Sequence, residues 1–212
     1  YNNYMYIGTE GEQGIQVVDI NNPNNPILIN EWNLISRSHN IMEYDGYLYI
    51  IGSYNDINGD GDVSDIIVLD VSTDPENPEY VSEWSGHYIH DVCMHENILY
   101  GCGIQDGQSY DDKMFAFDIS DPTNIVELAM WEGAYAAHAC WVSEDGNTVF
   151  VATEIAGGHI KSYDVSNLNN INLLDTWMPE NGNDWSPHNI FVKGDYLYIS
   201  HYVFGLQILD IS

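Results

Sequence analysis

Basic side chains are almost missing from this chain. Its 212 residues carry 4 Lys and Arg against 33 Asp and Glu, a formal charge of -29. Nucleic acid is thereby excluded as a default partner, because phosphate binding needs clustered Lys and Arg. Docking on anionic lipid is disfavoured for the same reason. No apolar run approaches the roughly 20 residues of a transmembrane segment, and no signal peptide opens the chain. The first residue is Tyr1 rather than Met, which reads as a processed or partial chain. Cysteine is sparse, at Cys93, Cys102 and Cys140. Cys93 and Cys102 fall in one expected hairpin, where a disulfide is possible. The odd number leaves at least one thiol free, paired elsewhere or acting as a ligand.

What is present is apolar material, 44% hydrophobic and 13% aromatic, enough for a sizeable core. The acidic excess has three ordinary readings: solubility, adaptation to salt and divalent-cation binding. Four basic groups cannot neutralise it, so self-repulsion favours extracellular or saline surroundings over a dilute cytosol.

The chain repeats itself, and the repeat decides the fold class. GIQVVDINNPNNPILINEW at 14–32 recurs as DIIVLDVSTDPENPEYVSEW at 65–84, KMFAFDISDPTNIVELAMW at 113–131 and HIKSYDVSNLNNINLLDTW at 159–177, and GLQILDIS at 205–212 begins a fifth copy. The shared Asp falls at Asp19, Asp70, Asp118, Asp164 and Asp210, at intervals of 51, 48, 46 and 46 residues. Trp32, Trp84, Trp131 and Trp177 close the first four copies. Each unit reads as four short strands: one after the Trp, a tight turn such as Asp45-Gly46, a second such as 47–52, a β-branched third, and a fourth after an Asn/Asp/Pro turn. No segment sustains helical periodicity. Four strands in roughly 40–50 residues, repeated, predict an all-β propeller of four-stranded antiparallel blades. The recurring Trp is read as blade packing and the recurring Asp as turn capping. One propeller region spans 1–212, with units at about 1–35, 36–86, 87–134, 135–184 and 185–212. The first unit lacks its first strand and the fifth its fourth, so the expectation is a fragment of a larger propeller with four complete repeat periods, a closed four-blade ring with overlapping ends being the alternative.

Four of the eight histidines share one column, at the start of the first strand: His39, His90, His138 and His188. In a propeller that strand is innermost, so the four rings are expected to converge. A set of neutral imidazoles suits a borderline transition metal. The alternative is that repetition preserved a structurally useful histidine. Glu154 ends a second strand in the register of Glu10, and Ser200-His201-Tyr202 stands there in the fifth unit. Glu154 and His201 are therefore candidates for a ligand, a supporting partner or a general acid or base.

These units resemble the LVIVD repeat. The succession from SHN at 38–40 to SPHNIFVKGDYLYISHYVFGLQILDIS at 186–212 resembles the choice-of-anchor B domain of bacterial surface proteins, over essentially residues 36–212. That resemblance implies export, a place at the bacterial cell surface or outside it, and a longer parent chain. It also includes the positions of His39, His90, His138, His188 and Glu154. It implies no particular activity.

The second unit departs from the pattern by an acidic insertion. Asp56, Asn58, Asp60, Asp62 and Asp65 match the first half of a calcium loop, D-x-[DN]-x-D-G, with Gly61 at the sharp turn. The bidentate Glu of a full EF-hand loop is missing, since its position holds Ile67. A solvated acidic turn is the other reading. The chain is thus expected to bind a transition metal and Ca2+. It reads either as a metalloenzyme or as a non-catalytic surface module whose ligand is a small molecule, a glycan or another surface protein. No nucleophile elbow, phosphate loop or zinc-protease helix is present.

Overall fold

The computed structural model describes residues 1–11, 13–55, 57, 64–106 and 109–212. Among them every sheet is an antiparallel meander whose strands neighbour one another in chain order. The first sheet holds β1 (Tyr4–Ile7), β2 (Ile15–Asp19) and β3 (Ile27–Trp32). The second holds β4 (Asn40–Tyr44), β5 (Tyr47–Asn55), β6 (Ser64–Asp70) and β7 (Glu79–Trp84). The third holds β8 (Asp91–His95), β9 (Ile98–Asp106), β10 (Ser109–Asp118) and β11 (Val126–Trp131). The fourth holds β12 (Ala137–Val142), β13 (Thr148–Thr153), β14 (Ile160–Asp164) and β15 (Asn172–Trp177). The fifth holds β16 (Pro187–Lys193), β17 (Tyr196–His201) and β18 (Gly205–Asp210). The expected strand frames are found, and the two end sheets have three strands each, as the repeat arithmetic requires. The helical structure among the described residues is one 3-10 turn, Gly182–Asp184.

The chain divides into two compact units. The first comprises residues 1–89 and 121–125, and the second comprises 90–120 and 126–212. In the first, β6 is apolar on both faces, and Ile66, Ile67, Val68 and Leu69 are all fully buried. A middle strand of a sheet covered on both sides gains burial from every residue, so strict alternation gives way to a continuous apolar run. Two cores are seen among the described residues of the second unit. One gathers Tyr100, Met114, Val149, Val151 and Tyr163 with the three cysteines. The other gathers Phe150, Ile190, Val192, Leu197 and Ile199. Trp131 closes the first of these, its ring edge-on to Tyr163 at 6.0 Å, which is the packing role expected of the Trp column.

The Asp column does what turn chemistry asks of it. Oδ1 of Asp19, Asp70, Asp118, Asp164 and Asp210 each accepts the backbone N–H two residues on, at 2.8, 2.7, 2.8, 3.0 and 3.0 Å. These Asx turns start the connection that Asn and Pro then complete. Immediately before four of these Asp residues the pairing slips by one residue, at Val17/Val18, Val68/Leu69, Ala116/Phe117 and Ser162/Tyr163. The extra residue sits in the outer strand, so each sheet that has this outer strand carries the same bulge and the added twist that goes with it.

A candidate metal centre in the second unit

In the second unit β12 runs beside both β8 and β16. That neighbourhood, set by sheet-on-sheet packing, brings His90, His138 and His188 into one row. The rings of His90 and His138 lie 4.4 Å apart, and those of His138 and His188 lie 4.1 Å apart. His90 stands one residue before β8, its amide held by the Cys102 carbonyl at 2.8 Å. Its Nδ1 lies 3.1 Å from the carbonyl oxygen of His138. A carbonyl only accepts, so Nδ1 carries the proton and the lone pair of the neutral ring is on Nε2.

His138 and His188 share a backbone peculiarity. The register of β12 on β13 slips between Ala137 and Ala139, and that of β16 on β17 slips between Pro187 and Ile190. Each histidine therefore sits in a bulge, which re-aims a side chain away from the strict alternation of the strand. Ala136, two residues before His138, has φ 58, a left-handed backbone that alanine takes only when its surroundings compel it. Its N–H is bound by the Asp111 carbonyl at 2.7 Å, and its own carbonyl accepts the Glu154 N–H at 2.8 Å.

That last bond fixes Glu154 against the histidines. Glu154 follows β13 directly, and Gly158 closes the turn behind it; a Cβ on Gly158 would fall 2.0 Å from the Thr153 carbonyl oxygen. Oε2 of Glu154 lies 3.3 Å from Nε2 of His138, and Oε1 lies 3.7 Å from Nε2 of His188. One ligating atom from each of the three residues falls within 4.8 Å of the others. Four-coordinate zinc-like ions take nitrogen and oxygen at about 2.0–2.1 Å, which puts neighbouring ligand atoms about 3.3 Å apart. The donor set, two imidazoles and a carboxylate, suits such an ion in chemistry and nearly in spacing.

Tyr202 completes the group, and sequence reasoning passed over it in favour of its neighbour. Its hydroxyl donates to Oε1 of Glu154 at 2.5 Å, and its ring stands edge-on to His188 at 5.2 Å. The hydrogen bond to Glu154, aided by desolvation, pushes the phenol up to about 12, so it remains a donor at neutral pH. The signal was in the register: Glu10, Glu154 and Tyr202 occupy the same place in their repeats. His201 is buried instead, edge-on to Phe204 at 5.0 Å, with neither ring nitrogen partnered among the described residues. Burial lowers its pKa.

His39 belongs to the first unit. There its Nδ1 pairs with Oε1 of Glu10, which also meets Arg37 at 3.8 Å. The pairing of Glu10 with His39 repeats that of Glu154 with His188: a second-strand carboxylate meets the histidine of the next repeat. Of the expected calcium ligands, Asp56, Asn58, Asp60 and Asp62 lie outside the described residues. Asp65 is buried, and its Oδ2 accepts the Gly86 N–H at 2.9 Å.

Residues 1–33 and 186–212 match the LVIVD repeat. The chain as a whole has a β-propeller fold. No curated protein is detectably similar in sequence. Among solved structures, a hypothetical selenium-binding protein from Sulfolobus tokodaii superposes with a TM-score of 0.74 at 15% identity, over 99% of this chain and 56% of that one. A putative 6-phosphogluconolactonase from Bacteroides uniformis gives 0.71 at 11% identity, over 97% and 63%. A β-propeller domain from Myceliophteria thermophila gives 0.70 at 13% identity, over 100% and 67%. The chain thus spans about 56–67% of the length of these structures, and at such identities they speak for the fold alone. No helix among the described residues is long and apolar enough to cross a membrane.

Proposed function

We propose that this LVIVD-repeat propeller is a secreted or cell-surface protein whose second unit holds a transition-metal ion on His138, His188 and Glu154, and that the ion serves catalysis on a small molecule. The observation that carries the reading is the pair of separations from Glu154, 3.3 and 3.7 Å, to two imidazole nitrogens on neighbouring sheets. Copying a repeat preserves a histidine and, as Glu10 and His39 show, a carboxylate beside it; at Glu154 each oxygen is turned to a different histidine nitrogen. The formal charge of -29 adds a field that draws cations in. Export rests on the choice-of-anchor B resemblance and on that same acidity.

When bound, the ion supplies Lewis acidity toward a carbonyl or a water. The chain's own contribution is orientation. Tyr202 holds Oε1 of Glu154, and His90 stands beside His138 with its proton committed to a backbone carbonyl. Glu154, expected from sequence as a general acid or base, fits a ligand's place better. His201 fits no proton-transfer role toward this group, since its nitrogens meet no polar partner. Calcium on the 56–65 loop is proposed on its spacing alone.

The test is elemental analysis of protein purified without chelator, beside His188→Ala and Glu154→Gln. About one transition-metal ion per chain, lost in both variants while circular dichroism stays unchanged, supports the reading. Metal-free wild type that also takes up no zinc, copper, nickel or cobalt on dialysis overturns it in favour of a surface binding module.

A further inference from the structure

The three cysteines, scattered over 48 residues of sequence, meet inside the second unit. Cys93, Cys102 and Cys140 are 1%, 0% and 2% exposed and belong to one core. Cys93 on β8 is opposite Tyr100, and Cys102 on β9 is opposite Asp91. The two therefore lie on one face of the third sheet, but diagonally. Diagonal neighbours across a strand pair stand roughly 7–8 Å apart, well beyond the roughly 3.5–4.5 Å between Cβ atoms that a disulfide needs. Cys140 comes from the next sheet, on β12, which runs close to both β8 and β9. Its Sγ lies 3.5 Å from the carbonyl oxygen of Tyr100, the residue opposite Cys93 and two before Cys102 on that same face, so it packs with both in one core. All three cysteines are free thiols.

We propose that Cys140 is the shared partner of two alternative disulfides, one to Cys93 and one to Cys102, and that this buried triad is an oxidisable staple between the third and fourth sheets. The hairpin disulfide that the sequence left possible, Cys93 to Cys102, is the pairing this geometry disfavours. The chemistry needs an oxidant small enough to reach a closed core, and a hydroperoxide meets that requirement. One thiol sulfur attacks a peroxide oxygen and becomes a sulfenic acid as the O–O bond breaks and water leaves. The neighbouring thiol then attacks the sulfenic sulfur, and its proton departs with the hydroxyl as a second water. Two thiols and one hydrogen peroxide give one disulfide and two waters, and one thiol remains. The bond would tie strands 38 or 47 residues apart in sequence, which restricts the unfolded chain.

The experiment is peptide mapping of the full chain after incubation with hydrogen peroxide, with cleavage after glutamate. Glu83, Glu96, Glu127, Glu132 and Glu144 put Cys93 in 84–96, Cys102 in 97–127 and Cys140 in 133–144. The expected product links 133–144 to 84–96 or to 97–127, two hydrogens lighter, with the third cysteine alkylated. Cys93→Ser is expected to keep the link to Cys102, and Cys102→Ser the link to Cys93. Cys140→Ser is expected to form neither. The oxidised wild type is expected to melt about 5–10 °C higher than the reduced protein. A link between 84–96 and 97–127 would overturn the proposal, as would three alkylated thiols after peroxide or oxidation only to sulfinic acids. The wild-type map decides this without relying on any variant to fold.

Discussion

Oε1 of Glu154 receives the Tyr202 hydroxyl at 2.5 Å and faces Nε2 of His188 at 3.7 Å. A carboxylate oxygen held by a neutral donor keeps its second lone pair in one direction. That is how supporting hydrogen bonds set the aim of a metal ligand. Tyr202→Phe is therefore expected to weaken metal affinity about tenfold while leaving stoichiometry at saturation unchanged. Competition against a chromophoric chelator measures it. An affinity equal to that of wild type would show that Glu154 is oriented by its backbone alone.

Gly158 tests that backbone. A methyl group there would collide with the Thr153 carbonyl at 2.0 Å, so the turn behind Glu154 must open. Gly158→Ala is expected to cost about 1–3 kcal/mol and to weaken metal binding with it. Thermal melts with and without metal separate the two effects.

Trp131 separates packing from hydrogen bonding. Its ring is buried against Tyr163, and its indole N–H has no partner among the described residues. Trp131→Phe loses no hydrogen bond and is expected to cost little more than 1 kcal/mol, whereas Trp131→Ala is expected to cost about 3–5 kcal/mol. Denaturant unfolding of both variants provides the check. Equal losses would mean that the indole nitrogen has an unrecognised role.

Acid is expected to act in two steps. Burial lowers the pKa of His201, so the unfolded chain binds its proton first as pH falls. The stability this gives is complete above the ordinary histidine value of about 6.5 and declines below it. His201→Phe is expected to flatten that part of the curve. In the second step, hydrogen bonds from Ser120 and Ser166 lower Asp118 and Asp164, and those from Ser143 and Asn147 bring Asp145 down to about 2. A depressed carboxyl stabilises above its unfolded pKa near 4, and the benefit is lost as pH falls through the folded value. Melting temperature from pH 8 to 2 tests both steps. A His201→Phe curve parallel to that of wild type between pH 7 and 5 would exclude the first.

Much of this molecule was written locally in its sequence. Strand frames, Asx turns at the five Asp residues and the buried Trp131 follow from side-chain alternation and short-range hydrogen bonding, which a linear reading captures. The histidine column was legible because repetition puts equivalent residues in equivalent places. Tertiary structure alone decided the rest. It set His138 and His188 in bulges, chose Tyr202 over His201 as the partner of Glu154, and gathered Cys140 into one core with two cysteines of another sheet. Those outcomes depend on how strands roughly 40–50 residues apart lie beside one another, and on one-residue slips in register. Neither leaves a mark in composition or periodicity, because a bulge reverses the facing of a side chain without changing the residues around it.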